Sequence, residues 1–199
     1  MRRAIVLTTG FLLAAVSVFA QAPPAPTTIA VAVQRGYAGV KQNLTQEAAK
    51  MSEADYNFKP SSMPEVRGFG QLFAHVALAQ FGTCAAAKGV PNPMQGKQLE
   101  QELKTKAEFV KALADSFAFC DDAYAALTDA NATELVNQGR GQIQRAALLM
   151  NNVVHNNEMY GTGAVYLRAK GLVPPSTENA TMGRGGPGGG GGRGRGGQQ

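Results

Sequence analysis

Residues 155–161 read HNNEMYG, between the apolar run LLMNNVV and the segment YLRAK. His155 and Met159 are four apart, and on a helix residues i and i+4 stand one above the other on the same face. An imidazole and a thioether so placed can reach a single ion. The thioether is neutral and soft, a poor partner for zinc or nickel and an acceptable one for copper(I). Glu158, three residues after His155, faces roughly the same way and is a further candidate donor. The only other histidine is His75. Three readings are open: half of a metal site, a site short of one ligand, or a bundle helix filled by a flexible methionine. His75, on an inward face between Leu72 and Ala79, has its own plain reading as a core histidine bonded to a neighbour.

Other chemistry is sparse. No nucleophile elbow, phosphate-cradling loop or spaced acid–base pair is present. GRGQ at 139–142 could offer backbone N–H groups to an anion at a helix start, but two glycines and an arginine read more simply as the start itself. The formal charge of +5 is carried by Arg2 and Arg3 at one end and Arg184, Arg193 and Arg195 at the other, leaving a neutral stretch between. That stretch gives no electrostatic reason to bind nucleic acid or a membrane surface.

The ends have characters of their own. MRRAIVLTTGFLLAAVSVFAQAPPAP has a positive start, an apolar stretch over 4–18 and a small-residue cleavage pattern ending at Ala20, and it reads as an export signal. A membrane anchor would need about 20 apolar residues. We therefore expect a leader at 1–20, a Pro-rich linker at 21–29, and a protein that is periplasmic or secreted. The tail RGGPGGGGGRGRGGQQ has almost nothing to bury, and we expect 179–199 to be disordered. Its arginines permit at most weak nucleic-acid or polyanion binding.

Four helices must carry the candidate residues, and no segment alternates convincingly like a strand. The first spans about 33–52, with Tyr37, Val40, Leu44, Ala48 and Met51 on one stripe. DYNFKPSSMPE then forms a loop. The second spans about 68–88, with Phe69, Leu72, Val76, Ala79 and Thr83 inward and Gly89 as terminator. The third opens on a capping box of Thr105 and Glu108 and carries Phe109, Leu113, Phe117, Cys120, Tyr124 and Leu127. The fourth spans about 140–170 and stops at Gly171 and Pro174-Pro175. Four amphipathic helices in 30–178 predict an all-α four-helix bundle.

Cys84 and Cys120 set the direction of the middle helices. If helices two and three run parallel, the cysteines differ in height by ~3 Å; in an antiparallel hairpin the offset is ~15 Å. A disulfide needs Cα atoms within about 4.4–6.8 Å, so a bridge demands the parallel case. The long connection 89–104 is too many residues for a tight turn and long enough to run back along a helix. An exported protein favours the bridge over two free thiols or a reactive Cys84. The predicted topology is up-down-down-up with a Cys84–Cys120 staple.

FGQLFAHVA, HNNEMYG and YLRAKGLVPPS, with the preceding MSEADYNFKPSSMPEVRG, resemble the DinB-like family of metalloenzymes over about residues 30–177. The resemblance implies the same up-down-down-up bundle. It also implies a divalent metal, zinc or nickel, held by three histidines: one on the second helix, matching His75, and two on the last. Of these two, one matches His155, and the other falls on Met159. The superfamily includes hydrolases and thiol S-transferases. Loss of an imidazole from such a centre should weaken binding by at least about 100-fold, since even disturbing outer contacts costs 10–100-fold. The sequence therefore predicts a binding bundle for a small molecule or a partner, with a degraded metal site and without ordinary metal-dependent catalysis. The alternatives are a metal-dependent hydrolase or S-transferase that works with two histidines, and copper(I) held by His75, His155 and Met159. Tyr160 and Gly161 read as packing residues, Gly161 for close helix approach, and Tyr56, Phe58 and Pro60 as the closure of one end. A homodimer is compatible with all three.

Overall fold

The computed structural model describes residues 27–139 and 141–184. The expected leader, most of the linker and the tail beyond 184 lie outside the described residues.

α1 (Ile29–Lys50) starts at Thr28, whose hydroxyl accepts from the Val31 N–H, and it buries Tyr37, Val40, Leu44 and Ala48 as the stripe requires. α2 (Phe69–Lys88) ends at Gly89, whose φ of 67° turns the chain left-handed and lets its N–H reach the last carbonyls. After the single turn α3 (Leu99–Glu102), α4 (Lys106–Ala125) opens on the predicted capping box: Thr105 accepts from the Glu108 N–H, and Glu108 accepts from the Thr105 N–H. β1 (Leu135–Asn137) and β2 (Gln142–Gln144) form a short antiparallel hairpin with Val136 opposite Ile143. α5 (Arg145–Ala169) and α6 (Pro175–Arg184) complete the chain.

Side-chain pairs fix the directions. α2 and α4 run parallel, since Gly70 packs on Phe109 and Cys84 meets Cys120. α1 and α5 are also parallel, joined at Gly36–Val153 and Glu47–Gly163. α1 opposes α4, with Tyr37 against Phe117 at one level and the Met51 carbonyl accepting from Lys106 at another. α2 opposes α5 at His75–His155 and Phe69–Tyr166. This is the up-down-down-up bundle, and the Cys84–Cys120 disulfide joins Cα atoms 5.3 Å apart in its interior.

Four details differ from expectation. The last bundle helix begins at Arg145, because Leu135–Asn137 and Gln142–Gln144 are spent on the hairpin, whose strands are too short to show alternation. On α2 the buried face is turned by one residue: Gln80 and Cys84 are buried, whereas Ala79 and Thr83 are only half-buried. α6 carries helix past the boundary expected at 178, tied down by Lys50–Glu178 at 2.5 Å and by the Asn179–Gln46 amide contact. Gly161 faces open space, and the close approach occurs at Gly163 instead.

That approach is made by a carboxyl group. A Cβ on Gly163 would lie 2.8 Å from the Glu47 carboxyl, so only glycine leaves it room. Glu47 is fully buried, and neither oxygen has a hydrogen-bond partner among the described residues. Burial disfavours the anion and pushes its pKa up to about 9. The folded chain therefore keeps this proton in a range where the unfolded chain, at its ordinary 4.5, has released it.

Two outcomes follow for stability. Because the folded state binds the extra proton, the Glu47 contribution is complete below about pH 4.5 and is lost as pH rises toward 9, with a slope of at most ~1.4 kcal/mol per pH unit. Urea unfolding across this range should show that loss in the native protein and a flatter profile in Glu47→Gln; identical profiles would refute the protonated carboxyl. Separately, the bridge closes a loop with a sequence separation of 36, so reduction should lower stability by about 4 kcal/mol in the chain-entropy model. A urea midpoint unmoved by reductant would show that the bridge contributes nothing.

Candidate functional site

His75 on α2 and His155 on α5 meet because those helices are antiparallel neighbours, with each ring on the side turned toward the other. Their Nε2 atoms are 3.1 Å apart and the ring centroids 5.1 Å. α3 brings a third group. Glu100 Oε1 lies 2.7 Å from His75 Nδ1, and its Oε2 accepts from Arg67 Nε at 2.7 Å. Gln71 holds this corner together: its Nε2 donates to the Glu100 carbonyl, and its Oε1 accepts from the Gly68 N–H at the start of α2. The Tyr166 hydroxyl, from α5, donates to the Arg67 carbonyl at 3.0 Å.

The electrostatics follow from the partners. Partial burial alone would raise the Glu100 carboxyl, but hydrogen bonds from Arg67 and His75 outweigh it and hold the group below the usual carboxylate range. Glu100 is therefore an anion that accepts at both oxygens, and it fixes the proton of His75 on Nδ1. His155 is lowered, first by burial and further by the neighbouring His75, against the opposing pull of Asn156 and Glu158. Its Nδ1 is 3.4 Å from Asn156 Oδ1. With the Asn156 amide so turned, the Nδ1 proton of His155 points to that oxygen and both Nε2 lone pairs face one point. With the amide reversed, a proton on His155 Nε2 is donated to His75. The two arrangements differ in whether the facing Nε2 atoms present two lone pairs or make one hydrogen bond.

A metal can be tested against this donor set. Two imidazole nitrogens each about 2.0–2.1 Å from one ion stand roughly 3–3.5 Å apart at a near-tetrahedral angle, so the imidazole bite fits. The third donor does not fit zinc or nickel. Met159, on α5 one turn beyond His155, is 9% exposed and belongs to the apolar core. Glu158, the further candidate at i+3, is exposed on α5. Glu100 is already engaged by Arg67 and His75. Among the described residues no group of three His, Cys, Asp or Glu side chains could hold an ion.

The other candidates have structural places. Tyr160 bonds Ser176 through its hydroxyl, pinning α6. Tyr56 stacks among Phe69, Phe73 and Phe109, and Phe58 packs on Tyr166, closing one end as expected. Sequence reasoning missed Glu100, Arg67, Asn156 and Glu47. Only Glu47 left a signal, being a charge three residues after Leu44 on an inward stripe.

The model of the DinB superfamily matches residues 37–161. A DinB-like protein of Bacillus subtilis superposes with a TM-score of 0.57 at 18% identity, over 71% of this chain and 94% of its own. A conserved protein of Enterococcus faecalis superposes with a TM-score of 0.52 at 15% identity, over 69% of this chain and 93% of its own. At such identities the likeness is one of fold. No curated protein matches.

The lowered His155 gives a direct check. Its ring should titrate below 6.5 in an NMR pH series, and His75→Ala should move the midpoint upward, since His75 is one of the groups that lower it. A midpoint at or above 6.5 in the native protein would contradict the buried, neutral imidazole.

Proposed function

Since this chain belongs to the DinB superfamily, we propose that it is an exported, disulfide-stapled bundle that binds a small molecule and lacks the metal-dependent hydrolysis or thiol transfer known in that superfamily. One observation carries the reading: two imidazoles face each other, the Met159 thioether belongs to the apolar core, and the Glu100 carboxylate is engaged by His75 and Arg67. A thioether adds little to zinc or nickel binding, and losing the third imidazole costs at least about 100-fold in affinity. The bridge between Cys84 and Cys120 supports an oxidising compartment, periplasmic or extracellular.

Metal analysis of untagged protein tests this. The expected result is zinc and nickel well below one ion per chain, with Met159→His raising affinity by two orders of magnitude or more. Stoichiometric zinc in the native protein that disappears in His155→Ala would replace the binding module with a working metal centre.

A second reading has an observation of its own. The 3.1 Å Nε2 separation and the soft donor one turn from His155 are the donor types copper(I) takes. Copper(I) affinity should then fall in Met159→Leu and differ between the native protein and Met159→His. Equal affinity in all three would remove copper from consideration.

A further inference from the structure

The geometry points to an anion-binding cleft beside the imidazole pair, formed where the 59–67 loop, α2 and the approach to α3 meet, that takes a small organic acid or phosphate ester through Arg67. This deepens the binding-module reading by naming its ligand class. The cleft has a volume of about 460 Å³, within the ~300–1,000 Å³ typical of small-molecule sites. Val66 and Leu78, both packed against the core, give it an apolar wall, and Lys59, Arg67 and Lys97 supply cations. Of the two acids lining it, Glu100 is ion-paired with Arg67 and the exposed Glu65 sits on the rim, against the three cations Lys59, Arg67 and Lys97. The balance offered to a ligand is positive.

The cations are not equal. Lys59 and Lys97 are exposed and form no ion pair among the described residues, so solvent screens them and they attract weakly and without direction. Arg67 differs. Its Nε is held on Glu100, its backbone carbonyl is held by Tyr166, and its terminal guanidinium nitrogens have no partner among the described residues. The side chain is thus ordered before any ligand arrives, with a planar pair of donors left over. A carboxylate or phosphate can meet such an edge with two parallel hydrogen bonds, a directed contact no lysine can supply. Glu100 would still bridge Arg67 to His75, so an anion here lies on the far side of the same carboxylate that orients the ring.

Phenyl phosphate and benzoate, with phenol as the uncharged control, test the assignment on the full chain by calorimetry and backbone amide NMR. The expected result is that at least one of the two anions binds, shifts amides near 65–71 and 97–101, and binds at least about 10-fold tighter than phenol. Which anion binds distinguishes a carboxylate from a phosphate ligand. Arg67→Gln should weaken it about 10- to 100-fold, and Lys59→Gln with Lys97→Gln by only a few-fold, with the thermal midpoint of the lysine variant unchanged. Arg67→Lys, which keeps the charge and loses the fork, should fall close to Arg67→Gln. Failure of both anions to bind, binding no tighter than phenol, or loss in the lysine variant equal to that in Arg67→Gln would overturn the proposal. The zinc content of the same preparation is read independently, so a metal centre and an absent anion cleft are separable outcomes.

Discussion

The parallel run of α2 and α4 is the constraint from which the rest of the molecule follows. Two consecutive helices that point the same way cannot be joined by a turn. The chain must leave the end of α2 at Gly89, travel back along the helix it has just made, and begin again at Thr105. The disulfide between Cys84 and Cys120 fixes the level at which the two helices meet. The returning segment therefore has to pass His75, and its single helical turn places Glu100 against the ring. What looks like a connector is the element that supplies the site with its carboxylate.

This dependence explains why the candidate site is a joint between elements. Glu100 takes a hydrogen bond from the loop before α2 and makes one with α2 itself, and Gln71 donates to its backbone. Tyr166 extends the same set of bonds to α5. Contacts to an ionised group contribute about 1.5–3 kcal/mol each. A corner built from several of them orders α3, which buries little apart from Leu99. His75 and Arg67 thus act in the fold before they act in any chemistry.

The scaffold was legible in the sequence because its signals are local. The stripes of α1 and α4, the capping box at Thr105 and the stop at Gly89 each depend on residues within a few positions, and the cysteines added one long-range relation that decided the topology. The hairpin at 135–144 was not legible, since three-residue strands carry no period. Glu100 was invisible for a different reason. Its role comes from where the returning segment lies in space, and nothing about an acid in GVPNPMQGKQLEQELK distinguishes it from Glu102. Met159 shows the reverse case: the resemblance marked the position, and of the readings open for it the structure places it in the apolar core.

The three positions that the resemblance marks are unequal in what they do for an ion-free fold. His75 is tied to α3 through Glu100, and His155 has Asn156 Oδ1 beside its Nδ1 and His75 Nε2 beside its Nε2. Position 159 lies in the apolar core, where an imidazole without an ion would leave a buried polar group unpaired at about 1–3 kcal/mol. A methionine there removes that cost and fills the space. Two bonded histidines and an apolar Met159 are compatible with a bundle that folds without metal. The places of His75 and His155 in the hydrogen-bonded corner carry no argument for catalysis by themselves.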